Sequence, residues 1–128
     1  DLFHGYTYSA HPIAAAALIA TLDVYTEDNL FERTNDLASY WEDALHSLKG
    51  TSHVIDIRNL GLVAGIEMSP REGSPGTRGY DVFTDGFHNH NLLLRITGDT
   101  LALSPPLIVE KDHIDQIVET LKVIIPNH

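Results

Sequence analysis

Apolar residues in this chain follow two periods, and the switch between them marks out its elements. From Ile13 to Thr26 the residues are alanine-rich and apolar almost all round, and His11-Pro12 opens the run. Proline suits a first helical position, where its missing N–H costs nothing. A helix apolar on nearly every side is expected to be buried on most of its faces. Asp28-Asn29 interrupts it, and a second helix is predicted to about Lys49. Its apolar positions, Leu30, Thr34, Leu37, Trp41, Leu45 and Leu48, fall three or four apart, and Gly50 supplies a left-handed stop.

Beyond Gly50 the period becomes two. His53 to Leu60 alternates, which predicts Ile55 and Ile57 on one face and Asp56 and Arg58 on the other; after Gly61, Leu62 to Met68 resumes as a second strand. Ser69 to Gly79 holds three glycines, two prolines and two arginines, and predicts a loop, the most mobile of the chain. Tyr80 to His90 predicts a short helix using Val82, Phe83 and Phe87. Asn91 to Ile96 and Leu101 to Ser104 read as strands around the turn Thr97-Gly98-Asp99, and Pro105-Pro106 prevents the second from running on. The last helix, roughly Lys111 to Ile125, uses Ile114, Ile117, Val118, Leu121, Ile124 and Ile125, with its cap open between Glu110 and Asp112. The expected fold is α/β of the α+β type: a small, mainly antiparallel sheet covered by helices on one face. The first thirty residues fit that unit poorly and look like a helix borrowed from a neighbouring domain.

Composition acts mainly by exclusion. The 128 residues suit one domain or a piece of a larger one. Eighteen acidic against eight basic residues give a net charge of -10, which argues against nucleic-acid and membrane-surface partners. There is no cysteine, so disulfides, thiolate zinc sites and cysteine catalysis are excluded, and a cytoplasmic location is the expectation. The longest apolar run, Ile13 to Leu22, is too short to span a bilayer. A start at Asp1-Leu2-Phe3-His4, in mid-motif and without a signal-peptide n-region, suggests a fragment.

Candidate chemistry is sparse. His88-Asn89-His90 has no third ligand at metal spacing, and solvated or capping histidines are the simpler account; no metal is expected. No glycine-rich turn joins a strand to a helix, and no serine occupies a nucleophile elbow. Glu27-Asp28 and Glu42-Asp43 read as solvated helix charges. Two places are harder to dismiss. Gly5-Tyr6-Thr7-Tyr8-Ser9 offers hydroxyls and backbone N–H groups that suit a phosphate, or else forms a tyrosine-lined packing loop. Arg95, inside Leu92-Leu93-Leu94-Arg95-Ile96, is either an outward position paired for structure or a bidentate grip on a carboxylate, and spacing alone favours the former.

Taken together these residues resemble one family. Phe3-His4-Gly5-Tyr6-Thr7-Tyr8-Ser9-Ala10-His11-Pro12 and its alanine-rich helix resemble the segment after the catalytic lysine of class III (omega-amino acid) aminotransferases, fold-type-I enzymes that use pyridoxal 5'-phosphate. Asn59 to Glu67 resembles the strand pair opening their C-terminal domain. Leu94-Arg95-Ile96-Thr97-Gly98-Asp99 with Ser104-Pro105-Pro106-Leu107-Ile108 resembles its closing strands. The resemblance implies a homodimer in which Thr7, with Tyr6 beside it, binds the cofactor phosphate of the other subunit. It assigns Arg95 to the substrate carboxylate, as in the omega-amino acid:pyruvate members, where the side chain can swing aside for substrates without one.

Departures from the family pattern limit what the chain can do. The Schiff-base lysine should lie upstream of His4, yet the lysines are Lys49, Lys111 and Lys122. The aspartate that pairs with the pyridinium nitrogen and the glycine-rich phosphate loop are also absent. Ala10 stands where a glycine is more usual. The expectation is residues 1–27 at the junction with the large domain and 28–128 as the C-terminal small domain. The resemblance implies partnership with that large domain, a second subunit, a small-molecule amine and a 2-oxo acid, and no catalysis by the chain alone. A non-catalytic interaction module is the alternative, as are the decarboxylase, aminomutase and racemase activities of the same family.

Overall fold

The computed structural model describes residues 4–128; Asp1, Leu2 and Phe3, the last of which opens the first motif, lie outside the described residues. The elements follow the predicted order: α1 (Pro12–Glu27), α2 (Leu30–His46), β1 (Val54–Leu60), β2 (Val63–Met68), α3 (Thr77–His90), β3 (Arg95–Thr97), β4 (Thr100–Leu103) and α4 (Lys111–Ile124), then a short 3-10 turn over Ile125–Asn127. The strands make one four-stranded sheet, ordered β1-β2-β4-β3, with every pairing antiparallel. Two tight hairpins build it. Leu60 pairs with Val63 around Gly61-Leu62, and Thr97 pairs with Thr100 around Gly98-Asp99. Gly61 and Gly98 take φ of 54° and 60°, the left-handed backbone that such turns require.

Strand alternation sorts the sheet into a covered and an open face. Ile57, Ile66, Leu101 and Ile96 form one cross-strand row, with Ala64 and Leu103 in the next. These pack with Trp41, Leu45 and Leu48 and with Ile114, Val118, Leu121 and Ile124 in one apolar cluster. The opposite face carries the row Arg58, Gly65, Ala102, Arg95, one residue from each strand. Among the described residues no helix is long and apolar enough to cross a membrane.

Several expectations are corrected, each for a local reason. Ile55 does not share a face with Ile57: the register shifts between Val54 and Asp56, a bulge that leaves Ile55 58% exposed. Phe87 is half exposed, and Gly86 takes the buried position instead. A Cβ there would lie 3.2 Å from the Leu92 carbonyl oxygen, so the glycine lets the chain fold back over α3. Asn91 ends α3 in a left-handed conformation, and the Leu92 N–H donates to the Gly86 carbonyl at 2.8 Å. Asn91–Leu94 is therefore a helix exit, and β3 begins only at Arg95.

The glycine- and proline-rich loop is shorter than expected, because Thr77, Arg78 and Gly79 belong to α3. It is also tethered. Arg71 pairs with Asp81 and donates to the His128 carbonyl at 2.7 Å, while the Arg78 Nε donates to the Ser69 carbonyl at 2.7 Å. α2 ends at His46 rather than Lys49, and Gly50, with φ of 86°, terminates the turns that follow. The cap of α4 is Glu110, whose N–H donates to His113 Nδ1 at 3.2 Å.

α1 is not covered on most of its faces by the described residues, in keeping with its poor fit to the unit. None of its residues is buried; Ile13 is 76% exposed and Ile19 61%. It meets α2 at their junction, where Tyr25 and Phe31 pack edge to face with ring centroids 5.4 Å apart. Apolar residues spread around a helix give no single stripe to lay on a core, and nothing else among the described residues covers them.

Candidate functional site

Arg95 opens β3 opposite Ala102, and its side chain is exposed on the open face of the sheet. The other four arginines are all engaged. Arg33 donates to the Leu107 and Val109 carbonyls, Arg58 pairs with Asp56 and Glu67, Arg71 with Asp81, and Arg78 is buried on Ser69. The two hydrogen bonds that Arg58 donates to the Asp56 and Glu67 carboxylates raise its pKa further and keep that guanidinium on its own row. Among the described residues the Arg95 guanidinium has neither a hydrogen bond nor an ion pair, which removes the structural pairing that spacing had favoured.

Beyond the Arg95–Ala102 pair the two strands part, and a pocket of about 340 Å³ lies between their flanking segments. Arg95 borders it, with Leu94, Leu103, Pro105, Pro106 and Ile117 among its walls. Trp41 lines it as well, and the buried Trp41 Nε1 donor has no partner. A permanent cation beside an apolar recess suits a small carboxylate with an apolar body. A charge-assisted pair there would supply orientation, and the recess contact area.

Arg95 is held at the front of its strand by a turn that is itself anchored. The Asp99 carboxylate accepts the Gly76 N–H at 2.6 Å and the Gly79 N–H at 3.0 Å, at the start of α3. The Asp99 carbonyl accepts the Met68 N–H at 2.9 Å. A side chain on Gly79 would collide with the Gly98 carbonyl oxygen, so helix and turn touch through bare backbone. Sequence reasoning read Gly98-Asp99 only as a turn and missed this anchor. The available signal was α3 itself, which starts at Gly76-Thr77 with no side-chain cap of its own.

The opening loop turns tightly into α1. Tyr6 N–H donates to Ser9 Oγ at 3.1 Å, Ser9 N–H to the Tyr6 carbonyl at 3.0 Å and His11 N–H to the Tyr8 carbonyl at 3.2 Å. Ala10 sits at φ of 60°, which explains why glycine would be at home there. Tyr6 and Thr7 are exposed, and their hydroxyls have no partner among the described residues. Neither lines the pocket beside Arg95, so the chain does not bring the two halves of the candidate site together.

The remaining candidates are surface features. His88 is exposed, and His90 Nε2 lies 3.8 Å from Asp85 Oδ1. Among the described residues no group of three or more metal-binding side chains converges. All three lysines are exposed: Lys111 lies over the Tyr40 ring and Lys122 pairs with Glu119 at 2.8 Å.

Fold and site together define an α+β domain with an apolar recess at the open end of its sheet. Residues 1–125 match the family model for aminotransferase class-III, and the chain belongs to that family. It is 59% identical over 125 residues to an omega-aminotransferase of Caulobacter vibrioides, covering 98% of this chain and 28% of that protein. It is 40% identical over 125 residues to a beta-alanine–pyruvate aminotransferase of Pseudomonas aeruginosa, covering 94% of this chain and 27% of the other. Among solved structures, a thermostable omega transaminase 6-fold mutant from Pseudomonas jessenii superposes with a TM-score of 0.86 at 28% identity, over 98% of this chain and 29% of that one. The chain thus spans just over a quarter of the length of its relatives.

Proposed function

We propose that these residues are the C-terminal portion of a pyridoxal 5'-phosphate-dependent aminotransferase. It moves an amino group from an omega-amino acid or amine to pyruvate or a related 2-oxo acid. The names of the Caulobacter and Pseudomonas relatives support this reading. The observation that carries it is Arg95, exposed and unpaired beside an apolar recess while every other arginine is engaged. Its guanidinium binds and orients the substrate carboxylate, and the recess excludes water from the apolar part of the substrate.

The opening loop fits the phosphate end of the cofactor. It offers the free Thr7 and Tyr6 hydroxyls on a tight turn, with open space around Gly5 for a close approach. When bound, pyridoxal phosphate would supply the electron sink that lets the amino group change owners. Thr7 and Tyr6 hold that phosphate for a second subunit, which is why they need not face Arg95 within one chain. The lysine that anchors the cofactor is assigned to the large domain, since Lys49, Lys111 and Lys122 sit on the surface of this one. Residues 1–27 belong to the junction with the large domain, and 28–128 form the small domain.

Arg95→Ala in the full-length enzyme tests the reading. The expected result is a loss in kcat/KM for pyruvate of roughly 30- to several-thousand-fold, as for one charge-assisted pair in a partly buried site. The half-reaction with a carboxylate-free amine should change little. Equal losses on both, together with a lower melting temperature, would make Arg95 a strand-holding residue and remove pyruvate from the proposal.

A further inference from the structure

We propose that Asp99 is a positioning residue for Arg95, acting through the β3–β4 turn that it ties to the start of α3; this rests on the reading of Arg95 as the carboxylate clamp. β3 is a sheet edge only three residues long, paired on one side to β4. A strand so short, with one neighbour, is placed largely by whatever fixes its ends. Its front end, at Arg95, is the point where pairing stops and the strands part. Its other end is therefore the anchor, and there Asp99 gathers three bonds. Its carboxylate accepts the Gly76 and Gly79 N–H groups, and its carbonyl accepts the N–H of Met68 at the end of β2.

The two carboxylate bonds do for α3 what its own sequence does not. They satisfy amide donors at the helix start and set a negative charge against the positive end of the helix dipole. The helix gains a cap, and the turn gains a fixed position on the helix. Gly79 makes the same junction from the other side, because only a bare Cα lets the Gly98 carbonyl approach. Two residues separate the anchored pair Gly98-Asp99 from Arg95, so a shift of the turn is carried along the strand to the guanidinium.

The test compares variants of the full-length enzyme on two half-reactions, one with pyruvate and one with a carboxylate-free amine. A clamp misplaced by about 1 Å costs on the order of 100-fold, so Asp99→Ala is expected to lower kcat/KM for pyruvate by roughly 10- to 100-fold. The loss should sit mainly in KM, with the amine half-reaction within about threefold of the parent. Asp99→Asn, which caps helices about as well as aspartate, should recover most of it. Gly79→Ala displaces the same turn without touching the carboxylate and should reproduce the selective loss. In an Arg95→Ala background, Asp99→Ala should leave the pyruvate-to-amine ratio unchanged, because the residue it positions is gone.

Failure is informative at both levels. If Arg95→Ala shows no preference between the half-reactions, the clamp reading fails and this inference falls with it. If Arg95→Ala is selective but Asp99→Ala depresses both half-reactions equally, or leaves both intact, Asp99 is a fold-holding residue only and the inference is overturned. Should Asp99→Ala not yield folded enzyme, the ratio measured in Gly79→Ala and Asp99→Asn decides: an unselective loss in Gly79→Ala overturns it.

Discussion

α1 and α4 are helices of similar length with opposite fates. α1 has 16 residues, with apolar groups on nearly every side, and buries none of them. α4 has 14 residues, mixes lysine, aspartate and glutamate into its sequence, and buries Ile114, Val118, Leu121 and Ile124. Apolar content is the poorer guide of the two properties. Spacing of three and four aligns the isoleucines and leucines of α4 on one stripe, and that stripe meets the sheet and α2. The groups of α1 point in all directions, and a small sheet can cover a helix from one side only. Such a helix suits a position between several neighbours, as at a junction with a large domain or a second subunit.

Three experiments probe this contrast, beginning where the effect is largest. Trp41→Ala empties a site with no solvent exposure and should cost about 3–5 kcal/mol in denaturant unfolding of the 128-residue chain, diluted until it is monomeric, whereas Ile19→Ala in α1 should stay within about 0.5 kcal/mol under the same conditions. Comparable losses at the two sites would mean that α1 is packed in solution. Next, the isolated chain should self-associate through α1. Replacing Ile13, Leu18, Ile19 and Leu22 with glutamine should return it to a monomer by sedimentation without lowering the melting temperature measured at high dilution. A parent that is strictly monomeric, with α1 amides protected from hydrogen exchange, would contradict the idea.

The smallest effect concerns α3, which unlike α1 is tied down at its far end. The Asp85 carboxyl is held below its ordinary pKa, first by the hydrogen bond from Asn89 and then by the His128 ring at 3.0 Å, with burial opposing. A depressed carboxylate stabilises the fold above its unfolded pKa of about 3.9 and loses that contribution as pH falls through the lower folded value. Asp85→Asn should therefore lower the melting temperature modestly at neutral pH, and the gap to the parent should close as the solution is acidified. A gap that does not change with pH would assign the effect to lost packing instead.

Much of this architecture is legible in the sequence because it rests on periodicity. The stripe Leu30, Leu37, Trp41, Leu45, Leu48, the change of period at Gly50 and the stripe of α4 all lie where spacing puts them. What is not legible depends on contacts between distant residues. Ile55 is turned out by a bulge that exists only relative to β2, and Gly86 is buried by a chain that returns from Leu92. The candidate site divides along the same line. Tyr6, Thr7 and Arg95 stand out as motif residues, but the freedom of Arg95 becomes visible only once the partners of the other arginines are known. Asp99 was harder to see, because a turn residue that caps a helix twenty residues earlier leaves only an indirect mark, the uncapped start of α3 at Gly76-Thr77.

The join between α1 and α2 is only two residues long, and Asn29 within it takes φ of 48° and ψ of 44°. Mechanically it is a hinge without slack. A helix of 16 residues is about 24 Å long, so a rotation of roughly 10° at that join sweeps the far end through about 4 Å. The end that moves is the one carrying Tyr6 and Thr7. With the sheet and its helices as the fixed frame, any tilt of α1 at that join is thus delivered, magnified, to the opening loop, and a longer or glycine-rich insertion at Asp28 would uncouple the two.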